Sequence, residues 1–149
     1  MKKTINIRQM DDMAKFAKQI AGGIKPGMII GLKGDLGSGK TTFTQFLAKQ
    51  LGIQDNVNSP TFTILKIYQG PINLYHMDVY RLEPIGYDYE LDDFIYGDGV
   101  AVIEWYPYIR TMLPKSILEI SIEIVNENER IVTIEGSDSY EAIVEAIGH

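Results

Sequence analysis

The sequence predicts an α/β fold in which a mixed, partly antiparallel sheet lies between layers of helix. Three observations predict it. A short apolar run, Met28-Ile29-Ile30-Gly31-Leu32, leads into a glycine-rich octet and then into a segment of helical periodicity. Two stretches, 62–81 and 117–135, each read as a pair of strands joined by a tight turn. A second apolar run, Val100-Ala101-Val102-Ile103, has the length and branched side chains of a buried parallel strand.

Taken in order, Lys3 to Ile7 reads as a strand. Asp11 to Ile24 reads as an amphipathic helix with Met13, Phe16, Ala17 and Ile20 on one face, Asp11 or Asp12 near its start and Gly22-Gly23 loosening its end. After the octet, Phe43, Phe46, Leu47 and Leu51 fall on one helical face, and Gly52 stops that helix. Gln54 to Pro60 is a polar loop. Phe62 to Tyr68 and Ile72 to Arg81 form a hairpin across Gln69-Gly70-Pro71. Pro84 to Phe94 is helix or turn, and Val100 to Glu104 is a strand ending on a carboxylate. Tyr106 to Met112 is a short helix. Ile117 to Val125 alternates apolar and polar residues, with Leu118 breaking the strict period, and pairs with Arg130 to Glu135 across Asn126-Glu127-Asn128. Ser139 to Ile147 closes the chain as a helix. No repeat or linker interrupts residues 1–149, so the expectation is one domain.

The octet is Gly34-Asp35-Leu36-Gly37-Ser38-Gly39-Lys40-Thr41, which fits G-x-x-x-x-G-K-[ST], the phosphate-binding P-loop. Its glycines let successive N–H groups turn inward around a polyphosphate. Lys40 would reach the β- and γ-phosphates, and the Thr41 hydroxyl would take one position on Mg²⁺. The helix that follows aims its positive end at the same phosphates. The plain alternative is a glycine turn between a strand and a helix. The order strand, loop, helix favours the nucleotide reading, and with it a three-layer α/β/α sandwich of the P-loop NTPase kind.

A P-loop needs an acid to organise metal and water. Glu104 follows four apolar residues, the layout of a Walker B acid. Asp78 lies in His76-Met77-Asp78-Val79-Tyr80-Arg81, where strand alternation puts His76, Asp78 and Tyr80 on one face. Magnesium takes only one or two protein oxygens, so two acids and Thr41 suffice. The competing readings are a solvated acid for Glu104 and a structural acceptor for Asp78. His76 reads as a packed or hydrogen-bonded core histidine, and Arg81 as the partner of a nearby acid. Ser59-Pro60-Thr61 falls where a phosphate-sensing switch loop would, or is a plain loop into a strand.

Composition narrows the function. The formal net charge is −6, with 45% hydrophobic and 23% charged residues and no Cys. Disulfides and thiolate metal sites are excluded, which fits a cytoplasmic protein. The start of the chain turns polar too soon for a signal peptide, and no apolar run is long enough to span a bilayer. An acidic chain whose only Arg residues are the well-separated Arg8, Arg81, Arg110 and Arg130 is poorly built to grip RNA alone. Glu90, Asp92 and Asp93, with Asp88 just before, read as a solvated acidic face.

These residues together resemble the bacterial TsaE (YjeE) family, ATPases of threonylcarbamoyladenosine tRNA modification. The resemblance rests on the octet with Thr42, on Ser59-Pro60-Thr61-Phe62, on His76-Met77-Asp78-Val79-Tyr80-Arg81 and on Glu104-Trp105, in that order from Gly34 to Trp105. It implies that ATP is held at Leu36, Gly37, Ser38, Gly39, Lys40, Thr41 and Thr42. It implies Mg²⁺ on Thr41 and Glu104, and hydrolysis served by Asp78, Glu104 and Lys40. It also implies nucleoside contacts near Met13, where a polar residue is expected, and on Arg130. Family members work with the TsaB–TsaD pair, so contact with tRNA would be indirect.

Three other functions share the motif. A small-molecule kinase would close an Arg-bearing lid over the phosphate, and four scattered Arg, none of them obviously near the P-loop, do not suggest one. A GTPase would want an N/T-K-x-D segment, which is absent. A vestigial scaffold would not need Thr41, Asp78 and Glu104 together.

Overall fold

A computed structural model describes residues 1–58, 64–82, 86 and 88–148, with Arg81 described by its backbone alone. Seven strands form one sheet: β1 (Lys2–Ile7), β2 (Ile29–Lys33), β3 (Leu65–Tyr68), β4 (Leu74–Asp78), β5 (Val100–Glu104), β6 (Leu118–Ile124) and β7 (Arg130–Glu135), in the spatial order β1-β7-β6-β2-β5-β4-β3. The central strands β6, β2, β5 and β4 run parallel, and both flanks are antiparallel hairpin or edge pairings. The mixed, partly antiparallel α/β sandwich is therefore the observed architecture. Register sets Leu32 beside Glu104 and Glu104 beside Asp78, so the carboxyl ends of β2, β5 and β4 share one edge.

Alternation along the strands splits the core in two. Ile30, Leu32, Leu74, Val100, Val102, Leu118 and Ile120 face α1 (Met10–Ala21), α2 (Lys40–Gln50) and α4 (Glu141–Ala146). Their neighbours Ile29, Tyr75, Met77, Ala101 and Ile103 face α3 (Asp92–Ile95) and 3-10 turns that include Tyr106–Met112. The second layer is thin. Beyond β2 the sheet turns a polar surface outward, where Glu119, Ser121, Glu123, Thr133 and Glu135 line a shallow cavity with Lys2, Lys33 and Tyr106.

α1 buries the predicted face, Met13, Phe16, Ala17 and Ile20, but ends at Ala21, three residues early, as Gly22 caps it. Asp12 accepts the Arg8 N–H at 2.9 Å and fixes the turn into the helix. α2 buries Phe43, Thr44, Leu47 and Ala48, while Phe46 is only partly covered. β3 begins at Leu65 rather than Phe62, and residues 62 and 63 lie outside the described set. β4 stops at Asp78, not Arg81, because Tyr80–Leu82 is a 3-10 turn. Within the predicted segment 84–94, the described helical residues begin at Tyr89, with Asp88 accepting the Glu90 N–H. The last helix opens with a 3-10 turn, Asp138–Tyr140, before α4. Among the described residues no helix is long and apolar enough to cross a membrane.

Phe16 of α1 and Phe43 of α2 meet with ring centroids 5.6 Å apart, and neither is more than 1% exposed. This contact holds the glycine loop's helix against the first helix. Phe16→Ala should cost about 3–5 kcal/mol of stability. Urea unfolding checks it, and a loss below about 1 kcal/mol would mean the core collapses around the gap.

Candidate functional site

The loop between β2 and α2 is shaped by its backbone. Gly39 caps α2 at φ 112°, a left-handed conformation that a side chain rarely adopts. At Gly34 an added Cβ would lie 2.6 Å from Ser38 Oγ and 2.7 Å from the Ile122 carbonyl, so only glycine lets the loop close there. The Ser38 N–H donates to the Asp35 carbonyl at 3.0 Å. α2 has no side-chain cap, since Gly39 has no side chain and none of the described side chains takes its place. Its first-turn amides therefore have no acceptor inside the helix and open toward whatever sits at the loop.

The sheet supplies the charges. Glu104, at the end of β5, is 3% exposed, and Lys40, the first residue of α2, is 7% exposed. Lys40 Nζ donates to the Gly34 carbonyl at 2.7 Å and lies 3.8 Å from Glu104 Oε1. Burial pulls the Lys40 ammonium below its usual pKa, against the opposing pull of Glu104, Asp78 and Asp35. Glu104 Oε2 sits 2.6 Å from His76 Nε2, so His76 is the hydrogen-bonded core histidine the sequence suggests. Asp78 is pushed above its usual range, chiefly by burial and also by Glu104, while the Tyr80 N–H and Lys40 pull it back.

Two cavities meet at the loop and share Gly37, Gly39 and Thr42. The smaller, about 230 Å³, is charged and brings together Lys40, Thr41, Asp78 and Glu104, with Leu36 and Trp105 at its margin. The larger, about 580 Å³, opens on the other side between Ile7, Met10, Met13, Asn128 and Arg130. A single loop thus presents one charged chamber and one largely apolar chamber.

The sequence-derived set largely converges. Leu36, Gly37, Gly39, Lys40, Thr41, Thr42, Asp78 and Glu104 line the charged cavity. Ser38 is buried in the loop, its Oγ without a hydrogen-bond partner among the described residues. Met13 and Arg130 both line the larger cavity. Ser59, Pro60 and Thr61 lie outside the described residues, as does the Arg81 side chain. Two expectations need correction. Tyr80 does not share the strand face of His76 and Asp78, because Asp78 Oδ1 accepts the Tyr80 N–H and turns the chain out of β4. And an Arg does reach the loop: Arg130 donates to the Ser38 and Gly37 carbonyls at 3.0 and 3.2 Å, across the sheet from β7.

Sequence reasoning missed an aromatic wall. Trp105 holds φ 62°, strained for a bulky residue, directly after Glu104. Its ring lies 4.2 Å from Lys40 Nζ and packs against Tyr80 and Tyr108, with centroids 5.0 and 6.0 Å away. The adjacency of Trp105 to Glu104 was the only local signal. Tyr80 and Tyr108 meet it through turns that have no periodic signature.

The residues present fit a phosphate chain with magnesium. Among the described residues no group of three or more His, Cys, Asp or Glu is arranged to hold a metal alone. Thr41, Asp78 and Glu104 instead offer a few hard oxygens beside a cationic loop, the donor set for a small ion that shares its coordination with phosphates.

A family model described as Threonylcarbamoyl adenosine biosynthesis protein TsaE matches residues 7–132. A Bacillus subtilis (strain 168) protein called tRNA threonylcarbamoyladenosine biosynthesis protein TsaE is 43% identical over 147 residues, covering 97% of this chain and 91% of its own. The Treponema pallidum protein of the same name is 38% identical over 129 residues, covering 85% and 96%. A crystal structure of Bacillus subtilis YdiB superposes with a TM-score of 0.83 at 37% identity, covering 97% of this chain and 93% of that one.

The raised Asp78 carboxyl has a consequence for stability. The folded chain binds that proton more tightly than the unfolded chain. Stability contributed by this group is therefore full below the ordinary aspartate range and lost as pH rises through the raised value. Asp78→Asn should be more stable than the native chain at neutral pH, with the gain vanishing below about pH 3.9. Urea unfolding at the two pH values checks this, and an equal difference at both would refute it.

Proposed function

The chain belongs to the TsaE family, and we propose that it is a cytoplasmic P-loop ATPase. On this reading it binds and hydrolyses Mg-ATP to support the TsaB–TsaD assembly in threonylcarbamoyladenosine modification of tRNA at position 37. The observation that carries the reading is the meeting of Lys40, Thr41, Asp78 and Glu104 in one cavity at the uncapped start of α2. The two cavities sharing one loop support it further, since a nucleotide has an anionic end and an apolar end.

In this mechanism the inward amides and Lys40 bind the phosphates. Lys40 is held by the Gly34 carbonyl and faced by Glu104, so an entering phosphate competes for an ammonium already in place. Thr41 and Glu104 would hold Mg²⁺, and the ion would supply charge neutralisation to the phosphates. Asp78 accepts a hydrogen bond from the attacking water and orients it. The water oxygen bonds to the γ-phosphorus as the bond to the bridging oxygen breaks, ADP leaves with that oxygen and its electron pair, and both of the water's protons leave on the phosphate as H2PO4−. Leu36, Gly37, Ser38, Gly39, Thr42 and Arg130 frame the nucleotide.

Contact with tRNA is delegated to partners. Net charge is −6, and two of the Arg side chains are engaged internally. Arg110 bonds the Pro114 and Lys115 carbonyls, and Arg130 bonds the loop. The same engagement leaves Arg130 poorly placed to act on a transferring phosphate.

Lys40→Ala removes a charged donor and should weaken ATP binding by about 10- to 100-fold by calorimetry. Unchanged affinity would remove Lys40 from the site. Glu104→Ala should lower Mg²⁺-dependent turnover at least as much as the loss of an outer-shell partner does, about 10- to 100-fold. Wild-type turnover would end its assignment. ATP turnover should be slow for the chain alone and faster with TsaB and TsaD added, and equal steady-state rates would defeat the partner dependence.

A further inference from the structure

His76 sits in β4 with no exposed surface, on the same face as Leu74 and Asp78. A polar side chain there costs stability unless it is bonded. Only half of it is. Nε2 meets Glu104 Oε2 at 2.6 Å, while Nδ1 is buried with no hydrogen-bond partner among the described residues. That asymmetry assigns the tautomer. A donor Nε2–H serves the carboxylate, and an unprotonated Nδ1 avoids burying a second N–H with no acceptor. The backbones of β4 and β5 are already paired from Leu74–Val100 to Asp78–Glu104, so the strands do not need this side chain as a clasp.

We propose that His76 is a positioning residue for Glu104. By holding Oε2 it fixes the plane of the carboxylate and leaves Oε1 as the oxygen presented to Lys40 Nζ, at 3.8 Å, and to the charged cavity. Without that bond the plane of the carboxylate would be set only by packing and by the 3.8 Å approach of Lys40 Nζ, which fixes no rotation about its last bond. An outer hydrogen bond of this kind orients a ligand before the ion arrives. The proposal rests on the assignment of Glu104 as a Mg²⁺ ligand and adds a second residue to it.

The test is the factor by which Mg²⁺ tightens ATP binding, measured by calorimetry with saturating Mg²⁺ and again with a chelator. His76→Gln keeps an amide N–H near the position of Nε2. His76→Asn is too short to reach, and His76→Phe keeps the ring without the donor. The Mg²⁺ factor should stay near the native value in the Gln variant and fall about tenfold in the Asn and Phe variants. Affinity in chelator should change less than twofold throughout. Thermal midpoints that drop while the Mg²⁺ factor holds would make His76 a packing residue and overturn the proposal. Should the Phe variant not fold, Gln against Asn decides the matter on the same terms. Glu104→Gln separates the two layers of the argument. If it lowers the factor and His76→Asn does not, positioning is wrong and the ligand stands. If it leaves the factor unchanged, the ligand assignment fails and the positioning role goes with it.

Discussion

An almost fully buried carboxylate at the end of β5 organises this molecule. An ionised acid removed from water costs several kcal/mol unless it is paired and bonded. Glu104 meets that demand through two elements at once, with one oxygen on His76 of β4 and the other facing the Lys40 ammonium of α2. Lys40 is in turn held by the Gly34 carbonyl. The glycine loop, the helix it opens and two central strands are thus tied together through one charge. The adjacent strand-end acid, Asp78, is reluctant to ionise chiefly because it is itself withdrawn from water, and the Glu104 charge adds to that.

Much of this was legible in the sequence because it is local. The α1 face repeats with helical spacing, and its four core residues are the buried ones. The hairpins announce themselves by alternation around short polar turns, and the observed pairings β3–β4 and β6–β7 follow. The octet marks its own strand and helix. What stayed hidden depends on contacts between distant residues. Arg130 lies 92 positions from Ser38 and meets it only because β6 returns beside β2. Tyr80 was assigned to a strand face because its spacing from Asp78 is two. A single side-chain bond from Asp78 to the Tyr80 N–H overrides that spacing. The thin second layer is built of 3-10 turns, whose short lengths leave no period to detect.

The two faces of the sheet differ in kind, and the difference bears on where partners could act. One face is closed by three helices around a continuous core. The other, among the described residues, is covered over β2, β5, β4 and the start of β3, while β6, β7 and β1 present carboxylates, hydroxyls and a lysine to water. The aromatic wall of Tyr80, Trp105 and Tyr108 lies on the margin between the charged cavity and that thinner layer. Lys40 touches Trp105 directly, so a change in the ammonium's company is felt at once by a partly exposed indole and its two tyrosine neighbours.

Arg130 has a subtler effect than its charge suggests. In a trans peptide unit the carbonyl of one residue and the N–H of the next point in opposite directions within a single rigid plane. The guanidinium grips the Ser38 oxygen, so the orientation of the Gly39 N–H is set at the same stroke. A cation from the far hairpin thereby acts as a splint. It aligns an amide dipole it never touches, and the turn need not reorganise that unit when an anion arrives.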